Sequence, residues 1–207
     1  PGCRWVGNEK GFAGETNWAF LRKNTVYPGY PNCPELQYGH ADGDQWTAAE
    51  CDVSIRPGWF YHPEEDDRVK SPEQLADLYY RSVGHNATLL LNFPVDREGL
   101  IHPTDSANAV NFHKMIQREL QHNLVAGMTP KVSNERGGEF TAKAMTDNSW
   151  DTYWAPTDGV TSATITFDFK KPQLMNRIML QEYIPLGQRV KKFAVEYLDG
   201  KTWRSVE

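Results

Sequence analysis

Glu9 is the side chain in this sequence best suited to move a proton. It follows Gly7-Asn8, just past the short apolar run Arg4-Trp5-Val6, and so falls at the C-terminal end of a strand. In α/β barrels that end carries the active site. Trp5, Phe12 and Trp18 lie nearby in sequence. They would give the carboxyl dry surroundings, which suit a group that must hold a proton and then donate it. The same residues also read as a surface glutamate in a loop. A second cluster runs from Trp46 through Glu50-Cys51-Asp52-Val53-Ser54-Ile55-Arg56-Pro57-Gly58-Trp59-Phe60-Tyr61-His62. A sugar site needs this mix, with flat apolar walls for ring faces and charged groups for hydroxyls. Arg56, Trp59 and Trp46 are therefore substrate-binding candidates, against the alternative of a packed strand end with an ion pair. Glu64 to Asp67 reads as a solvated acidic turn. A third cluster, Asp147-Asn148-Ser149-Trp150-Asp151-Thr152-Tyr153-Trp154, gathers short oxygen side chains of the kind that suit Ca²⁺. It lacks the glycine and terminal glutamate of an EF-hand loop, and a turn capped by Asp147 is the competing reading.

These residues need elements to position them. Arg4-Val6, Trp46-Ile55 and Thr88-Phe93 read as strands, the last a continuous apolar run expected in a parallel sheet buried on both faces. Ser71-Pro72-Glu73-Gln74 starts a helix, with Ser as N-cap, Pro at N1 and Gln at N3. Leu75, Leu78, Tyr79 and Val83 then share one face, and Gly84 ends it. A second helix spans about 105–124, with Phe112, Ile116, Leu120 and Leu124 in register. Residues 10–44 have no sustained period, but their six aromatics argue against disorder. Residues 1–124 thus read as α/β with a parallel sheet of about three strands, too few to close a barrel. After Val125 the pattern turns to period two in 163–169 and 193–198, with Asp199-Gly200 as a hairpin turn, and 177–181 reads as another strand. Residues 125–207 read as an antiparallel β-sandwich.

Composition excludes some classes. The chain has 207 residues, a formal net charge of −5, 39% hydrophobic and 24% charged residues, and seven Trp. It has no apolar run long enough for a transmembrane helix, and its mild acidity offers no basic patch for a nucleic acid. Cys3, Cys33 and Cys51 form neither a disulfide framework nor a zinc spacing. Both ends read as cut, which implies an internal piece of a longer protein. Trp5, Trp18, Trp46 and Trp59 fall in the first half, while Trp150, Trp154 and Trp203 read as sandwich core.

Taken together, three stretches in residues 1–124 resemble the later part of the catalytic domain of glycoside hydrolase family 29, the α-L-fucosidases. They are Arg4-Trp5-Val6-Gly7-Asn8-Glu9-Lys10-Gly11, Glu50 to His62, and Ser82 to Asn92. The Gly-Asn-Glu form is similar to the branch that prefers α-1,3/1,4-linked fucose, with relatives in gut Bacteroides. Residues from about 130 resemble a discoidin-like module of the coagulation factor 5/8 type C kind, often a family 32 carbohydrate-binding module. Thr146-Asp147-Asn148, Thr152-Tyr153-Trp154, Asn176-Arg177-Ile178 and Gly187-Gln188-Arg189-Val190 carry that likeness.

The resemblance implies the C-terminal part of a (β/α)8, TIM-like barrel over 1–124, followed by a truncated discoidin-like, jelly-roll-like sandwich over 125–207. It implies a retaining exo-α-L-fucosidase acting on fucosylated glycans, with two carboxylates about 5–5.5 Å apart. Glu9 matches the general acid/base and Trp59 an aromatic of the fucose pocket, with Arg56 and Trp46 as further candidates. The nucleophilic Asp lies upstream, so residues 1–207 alone would be inactive. No cofactor is implied for catalysis. A structural Ca²⁺ held by Asp147 and Thr152 is implied for the sandwich, and periplasmic or secreted placement for the whole protein. The rival reading is a non-catalytic sugar-binding or adhesion protein.

Overall fold

Three parallel strands supply the frame for the first cluster of candidates. The computed structural model describes residues 2–206. They fall into two units, one of residues 1–124 with Met175–Arg177, the other of 125–174 with 178–207. In the first unit the strands are β1 (Cys3–Trp5), β4 (Ala48–Ser54) and β5 (Ala87–Asn92), ordered β1-β4-β5. Along β4 the buried Ala49, Cys51 and Val53 alternate with half-buried Glu50 and Asp52. Two helices pack on the first of these faces. One is α2 (Pro72–Ser82), the other α3 (Pro103–Glu119). Val53, Ile55, Leu75 and Leu78 form the core between them, joined by Leu89, Leu91 and Phe112.

The helix starts and ends follow local chemistry. The Ser71 hydroxyl accepts from the Gln74 amide at 3.3 Å, and the Gln74 side chain accepts from the Ser71 amide at 2.9 Å, a reciprocal capping box. The left-handed residue that ends the segment is Asn86 (φ 60°), after a 3₁₀ turn over Val83–His85, rather than Gly84. Helix α3 begins two residues earlier than its periodicity suggests, because His102 caps it and Pro103 takes N1. It ends at Glu119, so Leu120 and Leu124 stand beyond it and are exposed. Its one fully buried residue is an acid, Asp105.

Strand β5 departs from the expected two-sided burial. Thr88 and Leu90 are exposed while Leu89 and Leu91 face the helices, so one face of this three-stranded sheet is open. The stretch 46–55 also divides. Residues Gln45–Trp46 form β3, which pairs antiparallel with β2 (Phe20–Leu21), and β4 begins only at Ala48.

The long segment between β1 and β3 is ordered by polar ties. The Arg4 side chain is buried and donates to the carbonyls of Leu36 (2.8 Å), Trp18 (3.0 Å) and Thr47 (3.4 Å), and to the Asn17 side chain. Burial lowers its pKa to about 10. Glu35, in the short helix α1 (Cys33–Leu36), accepts from the Tyr30 hydroxyl at 2.6 Å and the Asn32 amide at 2.9 Å, and its other oxygen meets His40 Nε2 at 2.5 Å. A segment without a hydrophobic period is held by these few side chains reaching main-chain acceptors.

In the second unit β6 (Lys131–Val132) pairs with β7 (Ile165–Thr166), and β8 (Glu196–Asp199) forms a hairpin with β9 (Thr202–Ser205) around Gly200 (φ 65°). The expected strand at 177–181 does not form, and the one at 163–169 is reduced to two residues. A strand needs a neighbour for its main-chain groups, and here Ile178, Met179 and Leu180 stay exposed. Trp150 and Trp203 are exposed rather than core residues, whereas Tyr153 stacks on Tyr183 at 4.4 Å and meets Phe140 at 5.0 Å. Cys3, Cys33 and Cys51 are free thiols. No helix among the described residues is long and apolar enough to cross a membrane.

Candidate active site

Glu9 and Trp59 meet although they lie fifty positions apart. Each stands in the loop that follows the C-terminal end of a parallel strand, Glu9 after β1 and Trp59 after β4. The Trp59 indole N–H donates to Glu9 Oε2 at 2.8 Å. An indole nitrogen only donates. With Oε2 engaged as an acceptor, a proton on Glu9 therefore sits on Oε1, which is also the oxygen free to take a proton from water. Trp59 thus distinguishes the two oxygens of the carboxyl. Glu9 itself is exposed. Trp5, expected to shelter it, instead donates to Asp52 Oδ1 at 2.7 Å. The dry pocket read from Trp5, Phe12 and Trp18 is therefore not formed around Glu9 by Trp5.

The loop that carries Trp59 is tied at several points. The Trp59 carbonyl accepts from Asn92 Nδ2 at 3.1 Å, and the same nitrogen donates to Ser54 Oγ at 3.1 Å. Lys70 Nζ donates to the Ser54 carbonyl at 2.6 Å.

Arg56 occupies a different kind of position from the one read for it. It is fully buried, so it does not present its guanidinium to a sugar at the surface. Its Nε and Nη2 donate to the two oxygens of Asp105 at 2.8 and 2.9 Å. Nη1 pairs with Asp66 at 2.8 Å and donates to the His62 carbonyl at 3.4 Å, and the guanidinium lies 4.6 Å from the Tyr61 ring centre. These acids, Asp105 first, hold the guanidinium protonated. Trp46 is half exposed on the β2–β3 ribbon, paired with Phe20. Asp66, read as part of a solvated acidic turn, instead pairs with the buried Arg56, and the sequence reading gave no role to Asn92 or Asp105.

Asp147 and Thr152 do meet in the second unit. The Thr152 hydroxyl donates to Asp147 Oδ2 at 2.7 Å, and the Ser149 amide donates to Oδ1 at 2.9 Å. These bonds, the threonine's first, hold the Asp147 carboxyl below its usual range. The loop closes on itself with one carboxylate at its centre. The described residues bring together no cluster of three His, Cys, Asp or Glu that could hold a metal.

The F5/8 type C domain family matches residues 129–207. A rice protein (Oryza sativa subsp. japonica) named as an alpha-L-fucosidase is 40% identical over the whole of this chain. A solved structure from Bacteroides thetaiotaomicron, also named as an alpha-L-fucosidase, superposes with a TM-score of 0.89 at 44% identity over 99% of the chain. A Ruminococcus gnavus GH29 fucosidase in complex with fucose superposes with a TM-score of 0.69 at 37% identity over 78% of the chain. The chain is similar over its whole length to proteins named as alpha-L-fucosidases. It spans 40% of the rice protein's length, 45% of the Bacteroides chain and 33% of the Ruminococcus chain. The likeness to the Bacteroides structure covers residues of both units, and the F5/8 type C match lies in the second unit apart from Met175–Arg177.

Proposed function

We propose that this chain belongs to a retaining exo-α-L-fucosidase that removes terminal α-1,3/1,4-linked L-fucose from glycans, with Glu9 as general acid/base. The observation that carries this reading is the Glu9–Trp59 hydrogen bond at the C-terminal ends of parallel strands. That is where a (β/α)8 barrel would place its chemistry, and family 29 homology supports the barrel. In the first step Glu9 gives the proton on Oε1 to the departing glycosidic oxygen while a carboxylate nucleophile attacks the anomeric carbon. In the second, Glu9 takes a proton from water as water displaces the enzyme carboxylate. The nucleophile is an Asp outside residues 1–207, so the activity belongs to the whole protein. Trp59 presents its ring to fucose beside the carboxyl it orients. The reading includes a secreted or periplasmic location.

The full-length protein incubated with an α-1,3/1,4-fucosylated oligosaccharide should release fucose as the α-anomer first. Proton NMR within the first minutes distinguishes this from inversion, and initial release of the β-anomer would refute double displacement. The same reading extends to a structural Ca²⁺ at the Asp147–Thr152 loop, which would replace the Thr152 hydrogen bond with ligation by both side chains and backbone carbonyls. Saturating Ca²⁺ should then raise the melting temperature of the domain and a chelator lower it. An unchanged melting curve means that Asp147 serves only to close the turn.

A further inference from the structure

Trp59 can orient Glu9 only if its own loop is fixed, and the structure shows what fixes it. The segment from Arg56 to His62 leaves the end of β4 and is closed by its own first side chain, because Arg56 Nη1 donates to the His62 carbonyl. The guanidinium that makes this closure is oriented from below. Asp105 uses both oxygens on Nε and Nη2, a fork-on-fork arrangement that sets the plane of the guanidinium as well as its position. Asp105 and Arg56 are both fully buried. Asp105 is the third residue of α3, where an acid also faces the positive end of the helix. A buried ion pair is a weak source of stability compared with apolar side chains of the same size. In this fully buried setting, the direction it imposes is therefore what an apolar pair could not supply.

We propose that Asp105 is a positioning residue for the Glu9 carboxyl, acting through Arg56 and the loop that carries Trp59. It touches no substrate. The path runs Asp105 to Arg56, Arg56 to the His62 carbonyl and Asp66, and Trp59 Nε1 to Glu9 Oε2. Asn92 holds the Trp59 carbonyl from the neighbouring strand. Loss of the fork lets the loop move and misaligns the acid. The nucleophile, on another part of the protein, is left untouched.

This inference rests on the acid/base role proposed for Glu9, and the test separates the two. In the full-length protein Asp105→Asn keeps the volume and removes the fork. Turnover of a fucosyl glycan, whose leaving group needs a proton, should fall about 10- to 100-fold. Formation of the covalent intermediate from a 2,4-dinitrophenyl fucoside, whose leaving group does not, should change less than about threefold. KM should stay near wild type. Trp59→Phe, which keeps an aromatic face but removes the indole N–H, should lose more on the glycan than on the dinitrophenyl fucoside, and the double variant should show no larger ratio between the two substrates than Trp59→Phe alone. Equal loss on both substrates, no loss on either, or multiplicative effects in the double variant would overturn the proposal. If Asp105→Asn does not fold, Arg56→Lys serves instead, since lysine keeps the charge and loses the fork. The same steepened dependence on the leaving group is expected, and wild-type dependence would refute the path. A wild-type protein that cleaves neither substrate removes the acid/base reading itself.

Discussion

Glu9→Gln in the full-length protein should reduce turnover of fucosylated glycans by about 10²- to 10⁴-fold, the usual contribution of a general acid. The same change should leave the first chemical step on activated aryl fucosides close to wild type. Glutamine suits this comparison because its carbonyl oxygen can still accept from the Trp59 indole, so the geometry of the pair survives while the proton is lost. A leaving group such as dinitrophenolate departs without protonation, and its release reports only on the nucleophile and the fucose pocket. The measurement is the pre-steady-state rate of leaving-group release on each of the two substrates, because the later breakdown of the fucosyl-enzyme also needs Glu9 as base. Equal losses would show that Glu9 supports the site structurally. No loss on either would favour a surface that binds sugar without cleaving it.

Arg56→Met should destabilise the unit by about 3–5 kcal/mol, the range seen when one partner of a buried ion pair is removed. The loss arises less from the missing attraction than from Asp105, which would remain fully buried with neither of its two charged hydrogen bonds. Asp66 cannot relieve it, being an acid itself. A second change in the same protein, Asp105→Leu, should restore most of the stability, because it removes the buried carboxylate left without its partner. Denaturant midpoints of the wild type, the single and the double variants provide the check. A single variant within about 1 kcal/mol of wild type would mean that the site can hydrate, and that the fork is not sealed from solvent.

The two variants also mark what could be read without coordinates. The helix at Pro72 was legible to the residue, since Ser71 and Gln74 are local signals whose partners lie within one turn. The parallel sheet was legible from apolar runs separated by helical periods, and the strand-end position of Glu9 followed from it. The Glu9–Trp59 contact was not, because sequence distance says nothing of which strand-end loops converge. Arg56 shows a different limit. An arginine among aromatics at a strand end looks alike whether it faces a ligand or a buried acid, and Asp105 is 49 residues away. In the second unit the apolar run at 177–181 overstated the strands, since such a run marks a capacity for pairing and the neighbour must be supplied from elsewhere in the chain.

Arg4 gives the long segment before β3 a property that its irregular backbone conceals. One side chain rooted in β1 holds carbonyls from three separated places, at Trp18, Leu36 and Thr47. Such a segment cannot be released piece by piece, because freeing any one carbonyl weakens the geometry of the others. Opening at these three anchors is coupled to the fraying of β1, so amide exchange near Trp18, Leu36 and Thr47 should rise together when the strand detaches.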